Sequence, residues 1–87
     1  MEKKDCLFAL VECGKGGLNP LELLRQARIK SRKLVILGNC GDTAAMLTTV
    51  RAIASENMDF PIRFYQGVGV DEAARLERCQ SYELINS

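Results

Sequence analysis

Apolar residues come in short blocks along this chain, and the stretches between the blocks change period. Residues 6–13, Cys-Leu-Phe-Ala-Leu-Val-Glu-Cys, form a nearly unbroken apolar run. A run of that length without alternation predicts a strand covered on both faces. Gly14-Lys15-Gly16-Gly17-Leu18 interrupts it, and Asn19-Pro20-Leu21-Glu22 opens a helix. Asn19 suits the N-cap, Pro20 the first helical position and Glu22 the acid of a capping box. The helix is expected to run to about Lys30, with Leu21, Leu24 and Ala27 on its inward stripe.

Leu34-Val35-Ile36-Leu37 is the second apolar block, ended by Gly38-Asn39-Cys40-Gly41. Asp42 or Thr43 then caps a helix reaching about Asn57, along which Leu47, Val50, Ile53 and Ala54 recur at helical spacing. After the turn at 57–61, Ile62-Arg63-Phe64-Tyr65 predicts a third strand whose mixed polarity puts it in a less buried place. Gly67-Val68-Gly69 ends that strand. Asp71 starts a short helix through about Arg78, with Ala73 and Leu76 inward, and Tyr82-Glu83-Leu84-Ile85 forms a weak last strand. The order is β-α-β-α-β-α-β. Strands separated by helices pair in parallel through right-handed crossovers. The expectation is one α/β domain over residues 1–87, Rossmann-like or flavodoxin-like, with a four-stranded parallel sheet.

Size adds a constraint. A chain of 87 residues buries only roughly 60–65% of the surface its unfolded form exposes. A thin core and two open sheet edges invite association, so a homodimer is expected. Twelve basic and eleven acidic residues give a net charge of +1, without the basic excess common in nucleic-acid binders. The chain has no His, which removes Ser-His-Asp and Cys-His nucleophile pairs and the commonest zinc ligand. The four cysteines, Cys6, Cys13, Cys40 and Cys79, form no C-x-x-C pair and fit no metal or redox spacing. No secretory signal precedes the first strand, and no apolar stretch is long enough to span a membrane. These features predict reduced thiols in a cytoplasm, with Cys6 and Cys79 as packing residues.

The candidate chemistry lies at one edge. Open parallel sheets bind ligands outside the carboxyl ends of their strands. All seven glycines, Gly14, Gly16, Gly17, Gly38, Gly41, Gly67 and Gly69, fall in the loops expected there. Glycine lets a backbone approach a ligand closely, and helix N-termini favour anions. The candidate ligand-binding set is therefore Lys15, Gly16, Gly17, Asn39, Cys40, Gly41, Asp42, Thr43, Gly67, Gly69 and Asp71, with a small phosphorylated compound as the ligand. Against it, tight βα turns use glycine for geometry alone. Neither of the first two glycine clusters has P-loop spacing, and Gly67-Val68-Gly69 lacks the third small residue of a dinucleotide fingerprint. Asp42 and Asp71 read more simply as helix N-caps, and Glu12 as a strand end in solvent. Cys13 and Cys40 share this edge. Cys40 precedes a helix N-terminus, which favours thiolate, but no His stands by as a base. At the other edge Arg25, Arg28, Lys30, Arg32 and Lys33 form a basic cluster. That cluster is a possible RNA contact without an aromatic platform, and its simpler reading is a solvated helix end.

The order Leu34 to Asn39, helix, Phe60-Pro61 and Gly67-Val68-Gly69-Val70-Asp71-Glu72 resembles a family of ribosomal RNA-binding proteins and also the later half of response-regulator receiver domains. It departs from both. The first family would need a leading helix and a different residue pair than Asn19-Pro20. The second would need a further βα unit and an acidic residue where Asn39 stands. The chain is assigned to neither. With catalytic equipment missing, the sequence points to a non-enzymatic interaction or regulatory module acting as a homo-oligomer, without cofactor, metal or membrane. Phosphorylated-metabolite or nucleotide binding at the glycine edge is the first alternative, and RNA binding through residues 25–33 the second.

Overall fold

The computed structural model describes residues 2–11, 20–38 and 44–86. They form β1 (Cys6–Val11), α1 (Pro20–Lys30), β2 (Leu34–Gly38), α2 (Ala44–Glu56), β3 (Ile62–Gln66), α3 (Val70–Leu76) and β4 (Tyr82–Asn86). The four strands make one sheet in the order β3-β2-β1-β4, and every pairing is parallel. The apolar blocks occupy the centre. Leu7, Phe8 and Ala9 of β1 and Leu34 to Leu37 of β2 are all but inaccessible to solvent. Strand β3 lies at an edge and is only partly buried, as its mixed polarity predicts.

Handedness decides where the helices go. The chain moves from β1 to β2 to β3 in one direction, so right-handed crossovers put α1 and α2 on the same face. Leu23, Leu24 and Ala27 of α1 and Val50 and Ile53 of α2 pack there on Leu7, Ala9, Val11, Leu34 and Ile36. The connection from β3 to β4 runs back across the sheet, and α3 crosses the opposite face. Ala73 packs there with Cys6, Phe8, Val35 and Leu37.

Three expectations about packing need correcting. Leu21 is 53% exposed and Leu23 is buried in its place. Helical spacing fits either residue, and the face that packs on the sheet runs through Leu23, Leu24 and Ala27. Leu76 is likewise 57% exposed, because the face of α3 turned to the sheet carries Val70, Ala73 and Ala74. The third correction concerns the thiols. Cys6 and Cys79 form a disulfide, with Cα atoms 6.4 Å apart across 73 residues of sequence. Parallel pairing of β4 with β1 brings the turn after α3 against the start of β1, a proximity no spacing rule anticipates. The bridge also removes the reduced-thiol argument on which the expected cytoplasmic location rested. Among the described residues no helix is long and apolar enough to cross a membrane.

The same corner carries a polar clasp. The Asp5 carboxylate accepts the Gln80 and Ser81 N–H groups at 2.9 and 3.3 Å. In return the Asp5 N–H donates toward the Ser81 carbonyl and hydroxyl, at 3.0 and 3.1 Å. These backbone donors hold the Asp5 carboxyl below its ordinary pKa. Closing a loop of this length restricts the unfolded chain strongly, so Cys79→Ser is expected to remove about 2–4 kcal/mol of stability. Thermal unfolding of the wild type with and without a dithiol checks this. Reductant should lower the midpoint of the wild type and leave that of Cys79→Ser unmoved.

Candidate functional site

The strand order locates the crevice of this sheet. Leaving β1 the chain turns toward β2, whereas β4 lies on the other side of β1. The carboxyl ends of β1 and β4 therefore flank the switch point at which such sheets bind ligands. Of the sequence-derived set, Lys15, Gly16, Gly17, Asn39, Cys40, Gly41, Asp42 and Thr43 lie outside the described residues, as do Glu12, Cys13 and Gly14. The structure places Gly67, Gly69 and Asp71.

Gly67 follows β3 with φ at 70°, a conformation that strains any residue with a Cβ. Its N–H donates to the Gly38 carbonyl at 3.0 Å, which ties the β3 loop to the end of β2. Its glycine is thus explained by turn geometry. Gly69 is the N-cap of α3 in extended backbone, and a Cβ there would meet nothing within 4 Å. Asp71 was expected to begin α3 as its cap. It is instead the second helical residue, exposed beside Glu72 in the first turn, where a carboxylate complements the helix dipole. Among the described residues, no group of three or more His, Cys, Asp and Glu side chains could hold a metal.

The basic segment is partly neutralised. Arg25 pairs with Glu22 at 3.1 Å. Arg28 grips both Asp59 carboxylate oxygens at 2.8 and 3.0 Å, reaches Asn57 Oδ1 at 3.2 Å and lies 5.3 Å from the centre of the Phe60 ring. The hydrogen bond with Asp59 raises the Arg28 pKa and lowers that of Asp59. Lys30 and Arg32 stay exposed.

Lys33 belongs to a cluster the sequence did not reveal. Its ammonium donates to Glu77 Oε1 at 2.7 Å, and the Tyr65 hydroxyl donates to Glu77 Oε2. The Glu77 side chain is only 7% exposed. Burial pushes the Glu77 carboxyl up, but the hydrogen bonds from Lys33 and Tyr65 outweigh it, and the group titrates below its ordinary range. The bond to Glu77 and burial raise the Tyr65 pKa. The carboxylate is held charged and the phenol protonated, so neither group is set for proton transfer near neutral pH. The cluster instead fastens the end of α3 to β2 and β3. Nothing local signals it, since Glu77 lies 44 residues from Lys33 and 12 from Tyr65.

A second feature lies at the amino edge beside β4. Glu2, Lys4, Ile29, Lys30 and Glu83 line an open groove of about 410 Å³. It lies between the end of α1 and Glu83 of β4. Compared with protein families, with curated proteins and with solved structures, the chain matches none.

The depressed Glu77 pKa gives stability that is full above the unfolded carboxyl range, roughly pH 4.3, and is lost as pH falls through the lower folded value. Glu77→Gln should lower stability at neutral pH by about 1–3 kcal/mol, because Lys33 loses its charged partner. It should also flatten the acid limb of the stability–pH profile. Denaturant titrations from pH 7 down to pH 3 check both effects, and an unchanged acid limb would contradict the assignment.

Proposed function

We propose that this chain is a non-enzymatic interaction module that works as a homodimer. The observation that supports the reading best is the state of β4. It packs chiefly against β1, and three side chains of this strand stay open to solvent. Tyr82 and Leu84 are 41% and 44% exposed on the α3 face, and Glu83 is exposed on the other. A fourth strand less covered than the centre, with Ile85 packed on the core and Tyr82 edge-on to Phe8 but Leu84 open, offers surface that a partner would bury. On the other face Ile29 of α1 is exposed as well, in the groove it lines with Glu83. The positions of the titratable groups add to the reading, because the buried carboxylate–phenol pair is a clamp. Light scattering coupled to size exclusion should give twice the 9.7 kDa chain mass at micromolar concentration. A mass of one chain throughout would contradict the reading.

A second reading keeps its support from the strand order. The switch point between β1 and β4 adjoins the segment that carries Lys15, Gly16 and Gly17. A phosphorylated metabolite or nucleotide bound there should raise the unfolding temperature of the wild type. Lys15→Ala and Gly16→Val should each abolish the shift, and equal shifts in all three proteins would end this reading. RNA binding through residues 25–33 has less in its favour, since acids engage Arg25, Arg28 and Lys33.

A further inference from the structure

The two edges of the sheet are built differently. At the β3 edge, Leu34 N–H donates to the Pro61 carbonyl, so by alternation the backbone groups of Ile62 and Phe64 point outward. Arg63 covers this edge, its guanidinium donating to the Ile62 carbonyl at 3.3 Å. A basic side chain in the strand and a proline just before it are common guards against edge pairing. Strand β4, Tyr82-Glu83-Leu84-Ile85-Asn86, contains no Lys, Arg or Pro, and its one charge is Glu83.

The direction of the β4 backbone groups follows from its neighbour. Leu7 N–H donates to the Lys33 carbonyl, so Leu7 faces β2, while Cys6 N–H donates to the Ser81 carbonyl, so Cys6 faces β4. By alternation Ser81, Glu83 and Ile85 turn their backbone groups toward β1. Tyr82, Leu84 and Asn86 turn theirs away from the sheet.

We propose that two copies of this chain join through antiparallel pairing of β4 with β4, on a twofold axis at Leu84, into one eight-stranded sheet. The proposal rests on the homodimer reading above and names its interface. A twofold axis between identical antiparallel strands sets one residue opposite itself. With Leu84 at the axis, Leu84 opposes Leu84 and Tyr82 opposes Asn86. All are outward-facing positions, so each pair exchanges both of its hydrogen bonds. Glu83 then lies opposite Ile85. Centring on Glu83 would set two carboxylates directly opposite, with Cα atoms roughly 4.5 Å apart, which is unfavourable. Centring on Ile85 would leave Tyr82 without an opposing strand residue. The Leu84 register is thus the one that uses all five residues and opposes no like charges. A second copy fits better than an unrelated extended peptide, because every copy brings this same strand without Lys, Arg or Pro and the pairing is self-complementary. The pairing would also set Leu84, with Tyr82 on the same face, against its counterpart from the other copy.

The test is sedimentation equilibrium of the wild type, Leu84→Pro and Leu84→Lys, with far-UV circular dichroism as a check on folding. Leu84 N–H points outward, so proline there deletes a donor to the partner and none to β1, and edge positions of that kind tolerate proline. Lysine keeps the backbone donor and sets two like charges opposite each other on the twofold axis. Both variants are expected to fold and to weaken dimerisation, the proline on the order of 100-fold. Should the proline variant fail to fold, the lysine variant decides. A wild-type dimer matched in affinity by the folded variants would overturn the β4 interface and leave the homodimer reading standing. A wild type that stays monomeric would overturn both.

Discussion

Everything in this fold depends on the right-handedness of its crossovers. A right-twisted strand feeding a right-handed helix packs back onto its own sheet in only one sense. Once β1, β2 and β3 are laid down in one direction, α1 and α2 must share a face. When the chain returns to place β4 on the far side of β1, α3 must take the other face. The three helices thereby cover β1 and β2 well and leave β4 with little cover. The exposure of Tyr82, Glu83 and Leu84 is thus a consequence of topology.

A strand with little cover needs other anchors, and they lie at its start. The Cys6–Cys79 bridge, the reciprocal bonds of Asp5 with Gln80 and Ser81, and the Lys33–Glu77–Tyr65 cluster all act within the last turn of α3 or the residues after it. Helix α3 buries only Ala73. Val70 and Ala74 pack beside it only partly buried, and side chains this small remove little surface from water. Polar and covalent ties therefore add to the core packing on this face. They fix where β4 begins, while Tyr82 and Leu84 stay exposed among the described residues.

Much of the fold was legible in the sequence. The apolar runs at 6–13 and 34–37 marked the two central strands, the first described as far as Val11, and Pro20 marked the start of α1. The mixed polarity of Ile62-Arg63-Phe64-Tyr65 marked a strand that is only partly buried. What escaped was tertiary. Leu21 and Leu23 both satisfy a helical pattern, and only the packing angle chooses between them. Cys6 with Cys79, and Lys33 with Glu77 and Tyr65, meet through strand order, which periodicity does not encode. Most of the glycine edge lies outside the described residues, so of that candidate site only Gly67, Gly69 and Asp71 have a structural account. Gly67 is explained by its turn and Asp71 by the helix dipole.

The central claim is that the outer edge of β4 is where this chain meets its partner. Residue-resolved amide exchange at low and high protein concentration tests it most directly. Glu83 and Ile85 donate toward β1 and should be protected at both concentrations. Tyr82, Leu84 and Asn86 should exchange fast in dilute protein and become protected as concentration rises, an alternating pattern that only strand pairing at this edge produces. Fast exchange of those three amides at every concentration would contradict the account.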